Sequence, residues 1–166
     1  MKVMKKAFYP GTFDPFTNGH LDIVGRALIC FGVVVVGISH GEGKSPLFSH
    51  EERIRLAKKA LAGLPEVEVV SFHGLTVSAA KDAGCDVIIR GLRVVSDYEY
   101  EMQLALMNKS IDSGLETVFL VSSHQYIFVS SSVIKEIASY GGDVSSFVCK
   151  DVEKALRRKF SRCSKQ

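Results

Sequence analysis

Two hydrophobic periods alternate along the chain. "KKAFY" (5–9), "VVVVGIS" (33–39), "VEVVSF" (67–72), "DVIIRG" (86–91) and "ETVFLVS" (116–122) are short runs rich in β-branched and aromatic residues, the composition of strands. The second run is apolar almost throughout, which marks a strand buried on both faces. Between the runs the apolar spacing changes to that of helices. Thr17 or Asn18 can cap a helix reaching about Cys30, with Leu21, Val24, Leu28 and Phe31 on one face. Ser49 and Glu52 form a capping box that opens a second helix to about Ala62. Further helices are predicted over 76–84, stopped by Gly84, over 96–114, over 130–142, and over roughly 150–161.

Strands alternating with helices predict parallel pairing through right-handed crossovers. The expected fold is therefore α/β: a doubly wound, Rossmann-like single domain over residues 1–166, with a five-stranded parallel sheet flanked by helices. No repeat, low-complexity stretch or linker divides it. Such sheets bind ligands beyond the carboxyl ends of their strands, near the point where strand order reverses. Functional residues are thus expected just after a strand.

Composition narrows the class. The 166 residues are 46% hydrophobic and 23% charged, ordinary for a globular domain with a real core. No apolar run approaches the ~20 residues of a membrane span, and the basic N-terminus lacks the apolar stretch of a secretory signal. The chain reads as cytoplasmic, with no membrane partner. Cys30, Cys85, Cys149 and Cys163 lie far apart without CxxC spacing, so neither a disulfide framework nor a zinc site is implied. The net charge of +3 has a local origin: residues 150–166 carry seven Lys or Arg against two acids, which leaves the remainder at −2. One aromatic, Phe160, lies among these cations, which is not the repeated aromatic interleaving that single-strand binders use, so a solvated C-terminal helix and tail is expected, and no nucleic acid.

The candidate chemistry begins after the first strand, in "PGTFDPFTNGH" (10–20). Gly11 is expected to allow a sharp turn close to a ligand. Thr17-Asn18-Gly19-His20 then opens a helix whose first amides, at the positive end of the dipole, suit a phosphate; His20 adds a directed N–H donor. The bland alternative is a capped turn with an incidental histidine. "GEGKSP" (41–46) fails as a P-loop, because position 38 is Ile38 and Pro46 blocks the helix that should follow. Lys44 remains either a mobile phosphate clamp or a solvated loop lysine. In "IIRGLR" (88–93), Arg90 ends an apolar strand and Arg93 follows Gly91, a pair suited to phosphate. The competing account is a structural ion pair with Asp97 or Glu101. Those two acids sit at i, i+4, unfavourable unless a cation or a ligand hydroxyl lies between them. "VSSSVIK" (129–135) offers hydroxyl and amide donors at another helix start, with Lys135 about one turn on; plain capping is the alternative. No cluster of metal-ligating side chains and no Ser-His-Asp arrangement is legible.

"YPGTFDPFTNGH", "RGLR", "DYEYEMQLA" and "VSSSVIK", in this order, closely resemble the bacterial phosphopantetheine adenylyltransferases, a family of the nucleotidylyltransferase superfamily with its TxGH signature. The likeness runs from about residue 5 to the last helix. It implies transfer of the adenylyl group of ATP to 4′-phosphopantetheine, giving 3′-dephospho-CoA and pyrophosphate with Mg²⁺ held mainly by the ATP phosphates. Carried over by position, His20 would contact the ATP phosphates, and Thr12 and Phe13 would lie between the substrates; His20 and Lys44 are expected to be catalytic, stabilising the charge that develops on the α-phosphoryl group. Gly91, Leu92, Arg93 and Glu101 would contact ATP, as would Tyr126, Ile127, Phe128, Val129, Ser130, Ser131 and Ser132. Lys44, Arg90, Thr12 and Thr76 would hold the acceptor. The family is typically a homohexamer inhibited by coenzyme A. Thr76 replaces its usual Leu or Met, Tyr126 its Trp, Val129 its Ile and Lys135 its Arg. The rival readings are a TxGH nucleotidylyltransferase with a different phosphorylated acceptor, and a nucleotide sensor without turnover.

Overall fold

The computed structural model describes residues 5–41, 43 and 45–163, without the side chains of Val95, Ser96, Arg162 and Cys163. Its elements follow the chain as β1 (Lys6–Gly11), α1 (Asn18–Phe31), β2 (Val33–Ser39), α2 (His50–Ala60), β3 (Val67–Phe72), α3 (Thr76–Asp82), β4 (Val87–Leu92), α4 (Val95–Ile111), β5 (Glu116–Val121), α5 (Ser131–Ser139) and α6 (Lys150–Cys163), with a 3₁₀ turn at His124–Tyr126. The strands pair in the order β3-β2-β1-β4-β5, all parallel. The expected α/β fold is therefore present, and strand order reverses between β1 and β4.

One face of the sheet packs Val34, Val36, Ile38 and Ile89 against Ile23, Val24 and Ala27 of α1 and Ala57 of α2. The other packs Phe8, Val35 and Ile88 against Val77 and Ala80 of α3. A third cluster joins α5 and α6 to Phe48 and Leu56. Apolar residues on both faces explain why β2 is buried from Val34 to Ile38.

The capping predictions are met with one refinement. Ser49 accepts from Glu52 N while Glu52 accepts from Ser49 N. In α1 the cap is Thr17, and the reciprocal position that Glu usually fills holds His20, whose ring accepts from Thr17 N. Three helices end earlier than expected, α3 at Asp82, α4 at Ile111 and α5 at Ser139. The first strand is longer, because its backbone stays paired with β2 through Pro10 and Gly11.

The sharp turn expected at Gly11 lies elsewhere. Gly11 closes β1, and the residue in the left-handed region is Phe13, at φ 49°. What Gly11 supplies is room: a Cβ there would sit 2.8 Å from the Phe13 ring. Gly37 makes the same provision inside the core, where a Cβ would come within 2.3 Å of Phe8. Gly37→Ala is therefore expected to cost about 1–3 kcal/mol through overpacking of a ring that has nowhere to move, read as a lower urea midpoint with an unchanged m-value.

Candidate active site

β1 and β4 pair only at Ala7–Val87 and Phe8–Ile88, although both strands run on. The ladder stops short of Pro10, which has no N–H to offer a neighbour. Its carbonyl instead accepts from Arg90 Nη1 at 3.0 Å. The crevice opened here divides into two adjoining chambers. The first, of about 380 Å³, is lined by Phe13, His20, Gly91, Arg93 and Glu101 and by the Tyr126 and Val129–Ser132 segment. The second, of about 450 Å³, is lined by His40, Phe72, His73, Thr76 and Tyr100. Pro10, Gly11, Thr12 and Arg90 belong to both walls.

His20 sits among Phe13, Phe16 and Tyr9, with ring centroids at 5.0, 5.3 and 6.4 Å. Its Nδ1 accepts from Thr17 N at 3.0 Å, which assigns the ring proton to Nε2. Burial, reinforced by the charge of Arg93, lowers its pKa from 6.5 to about 4. The histidine is thus a neutral donor at physiological pH. The α1 amides are less available than the sequence suggests: Asn18 N donates to Phe147 O at 2.8 Å and His20 N to Thr17 Oγ1 at 3.4 Å. Gly19 N–H is left for an anion among the described residues.

Both arginines are ion-paired, as the competing account allowed. Arg90 Nε and Nη2 each donate to Glu101 at 2.5 Å, a bidentate pair in a partly buried wall. Burial opposes the Arg90 charge, but Glu101 more than offsets it and raises the pKa. Arg93 Nε donates to Asp97 at 3.2 Å and Nη1 to Val129 O at 3.4 Å. Asp97 and Glu101 therefore each face a cation, which removes the unfavourable i, i+4 pairing, and Glu101 points inward rather than to solvent.

The three serines divide their work. Ser130 caps α5 by accepting from Val133 N at 3.1 Å, and Ser131 Oγ donates to Pro15 O at 2.8 Å, tying the two helix starts together. Ser132 faces the chamber. Lys135 donates to the buried Asp14 at 2.6 Å. Leu92, Ile127 and Phe128 line neither chamber; Phe128 is 82% exposed. Lys44 lies outside the described residues.

Sequence reasoning missed Asp14, whose carboxylate also accepts from Leu47 N and Phe48 N at 2.9 Å. It missed Asp22 too, which accepts from Ser123 N and Oγ and draws the segment after β5 onto α1. The legible signal was a carboxylate within an otherwise apolar, turn-forming stretch. Among the described residues no group of His, Cys, Asp or Glu could hold a metal ion. The acids of the crevice are committed to Lys135, Arg90 and Arg93.

A neutral donor, paired arginines and two helix starts beside a shared wall are the machinery of an enzyme that moves a nucleotidyl group between phosphates. The cytidylyltransferase-like family model matches residues 8–137. The chain is 52% identical over 156 residues to a phosphopantetheine adenylyltransferase of Synechococcus sp. strain CC9902, covering 94% of this chain and 96% of that one. It is 52% identical to the protein of that name in Methylococcus capsulatus, covering 93% and 96%, and 50% identical to that of Nitrosomonas eutropha, covering 94% and 95%. The chain belongs to the phosphopantetheine adenylyltransferase family. The fold is shared with a solved structure provisionally assigned as a nicotinate-nucleotide adenylyltransferase of Vibrio parahaemolyticus, at TM-score 0.71 and 16% identity over 93% of this chain and 99% of that one.

The His20 assignment carries a pH dependence. The unfolded imidazole gains its proton near 6.5 and the folded one only near 4. Between these values the unfolded state holds more protons, so stability is complete above about 6.5, declines as pH falls through the window and levels below about 4. The urea midpoint of wild type should fall relative to that of His20→Gln as pH is lowered from about 6.5 to about 4.

Proposed function

We propose that the protein transfers the adenylyl group of ATP to 4′-phosphopantetheine, releasing pyrophosphate and 3′-dephospho-CoA. The observation that carries this reading is the wall shared by two chambers. ATP occupies the first and the acceptor the second, so their phosphates meet at Thr12 and Arg90. An acceptor phosphate oxygen attacks the α-phosphorus, the bond to the α–β bridging oxygen breaks, and pyrophosphate leaves. The attacking monoester is already anionic, so no general base is needed. The protein's task is alignment and relief of repulsion between two anions.

His20 Nε2–H donates to the α-phosphoryl group, and the Gly19, Ser131 and Ser132 amides and Arg93 hold the remaining phosphates. Glu101 fixes Arg90 at the junction, and Lys44 adds its charge to the acceptor phosphate. Thr76 and Tyr100 flank the acceptor's arm. With the crevice acids already paired, Mg²⁺ would be held mainly by the phosphate oxygens of ATP and would supply charge neutralisation there. The enzyme works in the cytoplasm as a homohexamer under feedback by coenzyme A. Self-association is supported by α4, which leaves Tyr98, Leu106, Met107 and Ile111 between 42% and 64% exposed.

A pyrophosphate-release assay with ATP tests the activity. Turnover is expected with 4′-phosphopantetheine and not with nicotinate mononucleotide or a short phospho-alcohol; the reverse preference overturns the acceptor. His20→Ala should lose about 10²-fold or more in kcat while staying folded, and wild-type turnover in that variant removes the role.

A further inference from the structure

Arg53 is the most enclosed charged side chain described, 1% exposed on the core face of α2 beside Leu56 and Ala57. A buried guanidinium ordinarily meets a carboxylate; among the described residues this one pairs with none. Its five N–H groups are all used on neutral acceptors. Nε donates to Phe48 O at 3.3 Å, Nη1 to Thr12 O and Ser39 O at 2.7 Å each, and Nη2 to His40 O at 3.0 Å and His50 Nδ1 at 3.4 Å. Burial pushes its pKa down, and Asp14 and Glu51, acting from a distance, pull it back.

The position of these acceptors is informative. Ser39 and His40 precede the segment that contains Lys44, and Phe48 follows it. Thr12 stands in the wall common to both chambers. Asp14 adds to the hold on Phe48 by accepting from Leu47 N and Phe48 N. One planar fork therefore spans three stretches of backbone that parallel pairing alone does not hold together. A lysine has a single nitrogen and cannot reach the same set.

We propose that Arg53, which lines neither chamber, is a positioning residue of the active site: it fixes Thr12 against Ser39, His40 and Phe48 and so sets the alignment of the two phosphates. This rests on the adenylyl-transfer reading above. Displacements of about 1 Å are enough to cost on the order of 10²-fold in rate when in-line geometry carries catalysis.

The test compares wild type with Arg53→Lys, Arg53→Gln and the exposed control Arg55→Ala, measuring melting, ATP binding by calorimetry without acceptor, and pyrophosphate release. Wild-type turnover comes first; if it is absent, the reading of the function fails and Arg53 is not at issue. With turnover present, folded Arg53→Lys should lose about 10- to 100-fold in kcat, with the ATP dissociation constant and KM within about threefold of wild type. Arg55→Ala should match wild type throughout. Arg53→Gln, which retains a planar donor but no charge, should also be impaired in kcat and not in ATP affinity. A folded lysine variant with kcat within about threefold of wild type overturns the proposal. So does failure of both Arg53 variants to fold, which would assign the residue to stability alone.

Discussion

The crevice exists because β1 cannot stay paired with β4. A parallel sheet is held by evenly spaced bonds, and a proline in a central strand removes one donor. Pro10 does this at the position where strand order reverses. The lost contact is replaced by a side chain, since Arg90 reaches back to the Pro10 carbonyl. That single bond ties the active-site arginine to the backbone of the neighbouring strand. It also places Arg90 in the wall between two chambers, which under the proposed function lets one residue face both reactants.

The proposed function brings two anions together, and the cations that would receive them must also be tolerated by the protein alone. The structure resolves this by pairing each cation in advance. Arg90 holds Glu101, Arg93 holds Asp97 and Lys135 holds Asp14. Such pairs are weak contributors to stability when exposed, but removing one partner of a partly buried pair is expensive. Pairing does not exhaust the donors. Arg90 spends three of its five N–H groups on Glu101 and Pro10, so two remain among the described contacts. A phosphate can therefore be bound without breaking the pair that orients the arginine.

Much of this was legible in the residues. The alternating elements, the parallel sheet, the caps at Thr17 and Ser49 and the convergence of His20, Arg90, Arg93 and the serine segment follow from periodicity and strand-end placement. What was not legible depends on contacts between distant segments. Whether Glu101 faces ATP or Arg90 is decided by rotation of α4 on β4, and spacing along the helix is silent on it. Asp14 and Arg53 act through backbone amides and carbonyls, which carry no residue-specific signature. Arg53 nevertheless left a trace: an arginine one helical turn from Leu56 and Ala57, on the apolar face of its helix, must be fully satisfied or absent.

The protonation state of His20 bears on how catalysis is divided. An imidazolium would attract the polyphosphate of ATP strongly, but that charge is present before reaction as well as during it. Attraction felt equally in both states tightens binding without speeding the chemical step. By accepting from Thr17 N, Nδ1 is denied its proton, and the ring stays a neutral donor of fixed orientation. Its contribution then depends on where the α-phosphoryl oxygens lie relative to Nε2. A directional bond rewards the aligned geometry more than a diffuse charge could. The capping box that starts α1 thus serves two ends: it satisfies the helix, and it fixes the tautomer and direction of the ring N–H that the proposed reading aims at the reacting phosphorus.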